Sequence, residues 1–410
     1  MSEDAANGST SGGRGRSFRF DYRPGVLRFG ADCVTDLSTE LGALGVERAL
    51  VVTGRTVGTT PDVIDPVRAG LSDRLAGVFA ATTPEKRLAT AYDAVDAMRE
   101  RDADALVALG GGSSLDVATV ASVLATTDRD RDAVGETFES TGTVPIPEGD
   151  LPPVAAVPTT LAGAELSQVA GITASLDGGL VTAETGGGIS HPKLMPSAVF
   201  HDPELVATTP RAVLSASAMN GFDKAIESTY ARTATPVTDA TATRALAVLA
   251  DALPALGSDP VAPAAVEPVL EGILLAQYGV SRPDGTTLSL IHAFGHALTR
   301  TSPVQQGAAH AVVAPHALRY VLDTVDDGRE LLADAFGVAD PADDDAIVAA
   351  VAAVRDALGL PTRLRDVDGP SPDEFERVAR HTLEDSFMQN APEGLDATRS
   401  DLEAILDAAY

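Results

Sequence analysis

The sequence predicts two domains of different class: an α/β domain on a parallel sheet over residues 18–203, then an all-α domain over 204–410. Length is the first reason, because 410 residues exceed one core of ordinary size and 44% hydrophobic residues can fill two. The second is an alternation of short apolar runs with helical spacing as far as Asp202-Pro203. The third is the change beyond that point, where 3.6-residue periodicity takes over.

Residues 1–17 are rich in Ser, Gly and charge and lack an apolar h-region, so they read as a disordered leader and not a secretion signal. Arg48–Thr53 is a Val- and Leu-rich strand, Pro61–Leu71 a helix, Ala76–Ala80 a strand, and Glu85–Arg101 a helix. Ala105–Leu109 is a buried strand that runs into three glycines and a helix reaching about Leu124. Val154–Val157 and Ala198–His201 add strands, and the rhythm implies a parallel sheet with helices on its faces. From Arg211 on, helices follow one another, broken at Pro236, Pro260, Pro283-Asp284-Gly285 and Gly369-Pro370.

Composition excludes several functions. A net charge of −29 rules out the basic footprint that nucleic acids require. No uninterrupted apolar run reaches the roughly 18 residues of a membrane span. The single Cys33 cannot form an internal disulfide, which fits a reducing cytosol. Acids spread along the whole chain read as a solvated surface adapted to high salt, where a Debye length of about 3 Å screens their repulsion.

Chemistry concentrates at a few places. Gly110-Gly111-Gly112-Ser113-Ser114 follows a strand and opens a helix, so its bare backbone and free N–H groups suit a phosphate, although the spacing is not GxGxxG. Thr159 and Thr160 follow another strand end, where their hydroxyls either meet a cofactor or cap the loop. Four of the seven histidines, His292, His296, His310 and His316, lie within 25 positions. His292 and His296 are four apart on one helix face, as are Asn220 and Lys224 on another, so with His310 they can converge on a polar site between helices. His316 lies in an apolar stretch and reads as a core residue. Lys224 is one of only three lysines in a chain that otherwise uses Arg, and it sits in an apolar helix. It is either a functional cation or a side chain that snorkels to the surface.

In order, these motifs resemble the iron-containing (group III) alcohol dehydrogenase superfamily. The resemblance runs from Phe18 to the C-terminus through Tyr22-Arg23-Pro24-Gly25, Phe29-Gly30, the GGGS turn, the PTT loop, Phe200 to Leu205, the Asn220–Glu227 helix and the His292–His310 cluster. It implies a Rossmann-like dinucleotide-binding domain, a helical catalytic domain and an active site in the cleft between them. Cofactor residues by this matching are Gly110, Gly111, Gly112, Ser113, Ser114, Asp116, Thr159 and Thr160, with Gly54 and Arg55 after the first strand. Metal-dependent members hold iron or zinc at the positions of Asn220, Lys224, His292 and His310. Two of those four ligands are replaced here, and the incoming cation disfavours a divalent ion, leaving only His292 and His310 able to bind one. The PTT segment through Leu166 and the stretch His310–Leu318 are most similar to the metal-independent maleylacetate reductase branch. That branch keeps His where Lys224 stands, a lysine near Glu184-Thr185-Gly186 and, late in the GGGS helix, another at Thr119.

The expectation is a cytosolic NAD(P)H-dependent oxidoreductase acting on a small carbonyl or conjugated enone without a metal, and homodimeric as the family resemblance suggests. Lys224 would stabilise developing negative charge, His292 and His296 would donate a proton or hydrogen bond, and Asn220 would hold substrate or lysine. Arg300 and Arg319 could meet an anionic substrate group. NADP is favoured over NAD, because Gly54 stands where NAD-preferring relatives carry Asp and Arg55 offers donors to a 2′-phosphate. Two alternatives remain: a metal-dependent alcohol or polyol dehydrogenase using His292 and His310, and an inactive nucleotide-binding protein.

Overall fold

A computed structural model describes residues 17–257 and 260–410. The leader expected over 1–17 lies, apart from Ser17, outside the described residues. A six-stranded, all-parallel sheet is built from β1 (Val26–Phe29), β2 (Ala49–Gly54), β3 (Leu75–Thr82), β4 (Ala105–Gly110), β5 (Val154–Pro158) and β8 (Ala198–His201). Its spatial order is β1-β8-β5-β4-β2-β3. Between β5 and β8 the chain makes an antiparallel hairpin of β6 (Val169–Ala174) and β7 (Thr185–Ser190).

Both faces of the sheet are covered. Leu50, Val52, Leu106, Ala108 and Val199 pack into one core, and Val51, Val107, Leu109, Val157 and Phe200 into another. That is why these strands read as continuous apolar runs and not as alternating ones. The chain steps outward from β2 to β3, then returns to the other side of β2 for β4, so the strand order reverses between β2 and β4. In such sheets ligands bind beyond the carboxyl ends of the strands at that reversal. Gly54 ends β2 and Gly110 ends β4, so both candidate cofactor segments lie there.

Differences from the sequence reading have local causes. The helix expected from Glu85 begins at Leu88, because Lys86 takes φ +50°, outside the helical region. β1 and the β6–β7 hairpin were not predicted. The stretch expected to be all-helical holds one short hairpin, Ser281–Arg282 with Gly285–Thr286, turned at Pro283-Asp284 with Gly285 at φ +147°. Otherwise helices dominate from Arg211–Tyr230 onward, around a separate core that includes Phe222, Leu246, Phe294 and Val313. Among the described residues, no helix is long and apolar enough to cross a membrane.

Candidate active site

The nucleotide cradle forms first. Gly110 takes φ +132° and Gly111 caps the helix Gly112–Thr126 without any side-chain cap, leaving its first N–H groups to a ligand. A Cβ on Gly111 would stand 3.1 Å from Thr160 Cγ2, so glycine keeps the gap between the turn and the PTT loop open. Ser114 Oγ is 2.8 Å from Thr82 Oγ1, and Thr159 N–H donates to Gly110 carbonyl oxygen at 3.0 Å. Gly54 has φ −76°, so no backbone strain demands glycine there, and Arg55 is exposed. These residues fit the diphosphate of a dinucleotide at the helix terminus.

Asp116, one turn into the same helix, is mostly buried, its side chain 13% exposed, and is ion-paired with Lys86. Burial raises its carboxyl pKa and the Lys86 ammonium opposes the rise. Lys86 was missed in the sequence, although being one of three lysines was a signal.

Lys224 lies in the helix Arg211–Tyr230 at 8% exposure, which rules out the snorkelling reading. Its Nζ donates to Ala162 carbonyl oxygen at 2.8 Å and to Gln277 Oε1 at 2.7 Å. Burial pulls its pKa down to about 8, against the pull of Glu165, Glu227 and Asp116. Glu165 in turn lies 2.8 Å from His201 Nε2, both buried. Asn220 stands one turn before Lys224, partly exposed.

The same helix carries the two inner histidines through carboxylates. Glu227 accepts from Ile291 N–H at 2.6 Å, from His292 N–H at 3.2 Å and from His292 Nδ1–H at 2.6 Å. Asp223 Oδ2 lies 3.1 Å from His310 Nδ1. The two rings meet edge to face with centroids 4.6 Å apart. His310 Nε2 fills the place where a β carbon on residue 295 would stand, 2.2 Å from it, so only Gly295 admits the ring.

His296 faces outward, its side chain 41% exposed, with Nδ1 2.9 Å from Asp385 Oδ2 and its ring against Phe387. Lys224, His296 and His310 all lie near enough to His292 to act on it through space, and Asn220 stands one turn before Lys224 on the same helix.

Three expectations change. Burial pushes His292 well below the usual range and His310 to about 3, so both rings stay neutral. Glu227, whose own carboxyl burial raises to about 7, accepts two backbone N–H groups and holds His292 Nδ1 at 2.6 Å, so His292 is a neutral, tethered ring and not a charged proton donor. Arg319 is ion-paired with Asp345, whereas Arg300 lies one turn beyond His296 and near Asp385. His316 is half-buried, its pKa lowered by burial and by Arg355, and is not fully in the core as expected.

The family model for iron-containing alcohol dehydrogenase matches residues 24–203, and that for the C-terminal part of the Fe-containing alcohol dehydrogenase family matches 214–410. The chain belongs to the iron-containing alcohol dehydrogenase superfamily. It falls in the maleylacetate reductase-like branch. The maleylacetate reductase of Pseudomonas aeruginosa is 30% identical over 398 residues, covering 96% of this chain and 98% of that protein. Maleylacetate reductase 1 of Cupriavidus pinatubonensis is 28% identical over 396 residues, again 96% and 98%. The fold matches the crystal structure of maleylacetate reductase from Agrobacterium tumefaciens with TM-score 0.77 at 23% identity, over 96% of this chain and 98% of that one. As a member of this family the protein is an NAD(P)-dependent oxidoreductase.

Proposed function

We propose that this superfamily member reduces a small carbonyl compound or conjugated enone with NAD(P)H, in the manner of a maleylacetate reductase, with Lys224 in place of a metal. The observation that carries the reading is the Lys224 ammonium, buried at a ligand position of the metal-dependent relatives and bonded only to neutral acceptors.

The residues present do not fit a divalent ion. A unit charge about 4 Å from a divalent cation costs roughly 8 kcal/mol at an effective dielectric of 20. Asn220 brings no charge to offset that, and His310 Nε2 is seated against Gly295. Among the described residues, no group of three or more His, Cys, Asp or Glu could hold a metal ion.

When bound, the reduced nicotinamide supplies the hydride. The chain's own residues do the rest. The GGGS helix terminus and Thr159–Thr160 bind and orient the nucleotide. Lys224 donates to the oxygen on which negative charge develops, from a side chain only 8% exposed, where such a contact is stronger than in open water. His296, the ring with solvent access, returns a proton to that oxygen, and Asp385 fixes its orientation. The buried His292 and His310 shape the pocket wall. Cytosolic location, a homodimer and an acidic surface suited to high salt belong to the same proposal and rest on family likeness and composition.

The test is reduction of a panel of aldehydes, ketones and enones in high salt, on protein purified without chelator. Turnover is expected to survive exhaustive chelation with no stoichiometric iron or zinc. Activity that disappears with the metal and returns with it would favour the dehydrogenase alternative.

NADPH is expected to give a higher kcat/KM than NADH. A Cβ on Gly54 would meet only ordinary contacts, 3.4 Å from the Thr82 carbonyl oxygen, so the carboxylate that would repel a 2′-phosphate is absent without steric cause. The neighbouring Arg55 guanidinium is exposed and available. Arg55→Ala should lower kcat/KM for NADPH selectively. A tenfold preference for NADH in the unaltered enzyme would refute the assignment.

A further inference from the structure

The face of the helix Arg211–Tyr230 that carries Lys224 grips the PTT loop along its length. Ser217 Oγ accepts from Leu161 N–H at 3.1 Å. One turn on, Gly221 admits the loop so closely that a Cβ there would lie 2.7 Å from Leu161 carbonyl oxygen. Lys224 follows and donates to Ala162 carbonyl oxygen. Gly163 then turns the loop with φ +71°, and a Cβ on it would stand 3.0 Å from Gln277 Oε1. Gln277 ends the helix Pro263–Gln277 and is 2% exposed, and its side-chain oxygen accepts from Lys224 at 2.7 Å.

An ammonium group has three donors and no acceptor. Two are committed here, to Ala162 and to Gln277, so their two acceptors fix the direction of the third. A free lysine would sweep several rotamers and lose that direction. Carboxylates lie near, but none of them forms the contact. Glu165 on the turn after the loop, Glu227 on the lysine's own helix and Asp116 on the nucleotide helix act on it through space, while the lysine in turn helps keep His292 and His310, on two further helices, neutral. An acceptor oxygen at this place orients the ammonium, and the amide does so without adding a charge of its own.

We propose that Gln277 is the positioning residue for Lys224, aiming the lysine's one uncommitted N–H at the substrate oxygen. This rests on the reading of Lys224 as the group that stabilises the oxyanion. Gln277 is 2% exposed and its side-chain oxygen is bonded to Lys224, so its influence passes through the lysine.

The experiment compares Gln277→Met, which keeps length and volume but removes the strong acceptor, with Gln277→Glu, which keeps an acceptor oxygen. Lys224→Ala is measured alongside. Gln277→Met should lower kcat tenfold or more with KM for the nucleotide within twofold. It should also move the alkaline limb of kcat to lower pH, because losing an acceptor disfavours the charged lysine. Gln277→Glu should recover most of kcat at neutral pH and move that limb upward.

If Lys224→Ala is inactive while Gln277→Met keeps full kcat and an unmoved limb, Gln277 only packs and the inference is wrong. An inactive Gln277→Met that Gln277→Glu fails to rescue, with no shift of the limb, overturns it equally. If Lys224→Ala itself keeps full turnover, the reading of the lysine fails instead, and the two failures are told apart.

Discussion

Lys224→Ala is expected to lower turnover at least a hundredfold while the protein still folds and binds nucleotide. Removing one pre-oriented donor to a developing oxyanion typically costs about 2.7 to 4 kcal/mol, a factor of roughly 10² to 10³. The loss should fall on kcat, since the contact strengthens only as charge develops on oxygen. The fold should tolerate the change because the ammonium is a burden to it. Burial takes its pKa from 10.5 down to about 8, so the charged form is less favourable here than in the unfolded chain. By linkage, the unfolded state holds that proton between about pH 8 and 10.5 when the folded state does not, so this group adds stability as pH rises through that window. Stopped-flow and steady-state rates on the folded variant decide the matter, and near-normal kcat would eliminate the electrophile role.

Glu227→Ala should be the most damaging single change to stability around the site, at about 3 to 5 kcal/mol. The helix Leu290–Thr301 has no side-chain cap of its own, and Ser289 before it makes none. Glu227 reaches across from another helix to accept two of its first N–H groups and the His292 ring N–H. Deleting the carboxylate leaves three buried donors without partners at a helix N-terminus. For a domain of about 200 residues the melting temperature should fall by roughly 6 to 20 °C. Glu227→Gln, which keeps an acceptor, should lose less. Thermal unfolding monitored by circular dichroism provides the check; a shift under about 2 °C for the Ala variant would mean the pair contributes little.

Much of the architecture was legible because the sheet is covered on both sides. Strands such as Ala105–Gly110 are apolar throughout and stop at glycine, which leaves little to misread. The edge strand Val26–Phe29 is exposed at both ends and half-buried between them, and carries no comparable run. The hairpin strand Thr185–Ser190 contains three successive glycines and reads as loop, yet a Cβ on Gly187 would sit 1.9 Å from the Gly142 carbonyl oxygen. That close approach is invisible without knowing what lies opposite.

In the site, Asn220, Lys224, His292, His296 and His310 could be found from helical spacing and density. Their supporting partners could not. Gln277 is an ordinary amide near a helix end, and Asp385 lies 89 positions from the His296 it orients. Gly295 looks like a weak point in a helix, and only the ring of His310 against it gives its reason. The neutrality of His292 depended on burial and on a carboxylate 65 positions away, neither of which a motif records.

The bond between Lys224 and the Ala162 carbonyl oxygen has a mechanical consequence. The peptide it grips lies two residues beyond Thr160, on the same short stretch of backbone that borders the nucleotide turn. A nucleotide seated against Thr160 would thus bear on the same backbone that supplies one of the lysine's two acceptors. Gauge and tool would then share one rod: the length of chain that borders the nucleotide turn also holds the lysine.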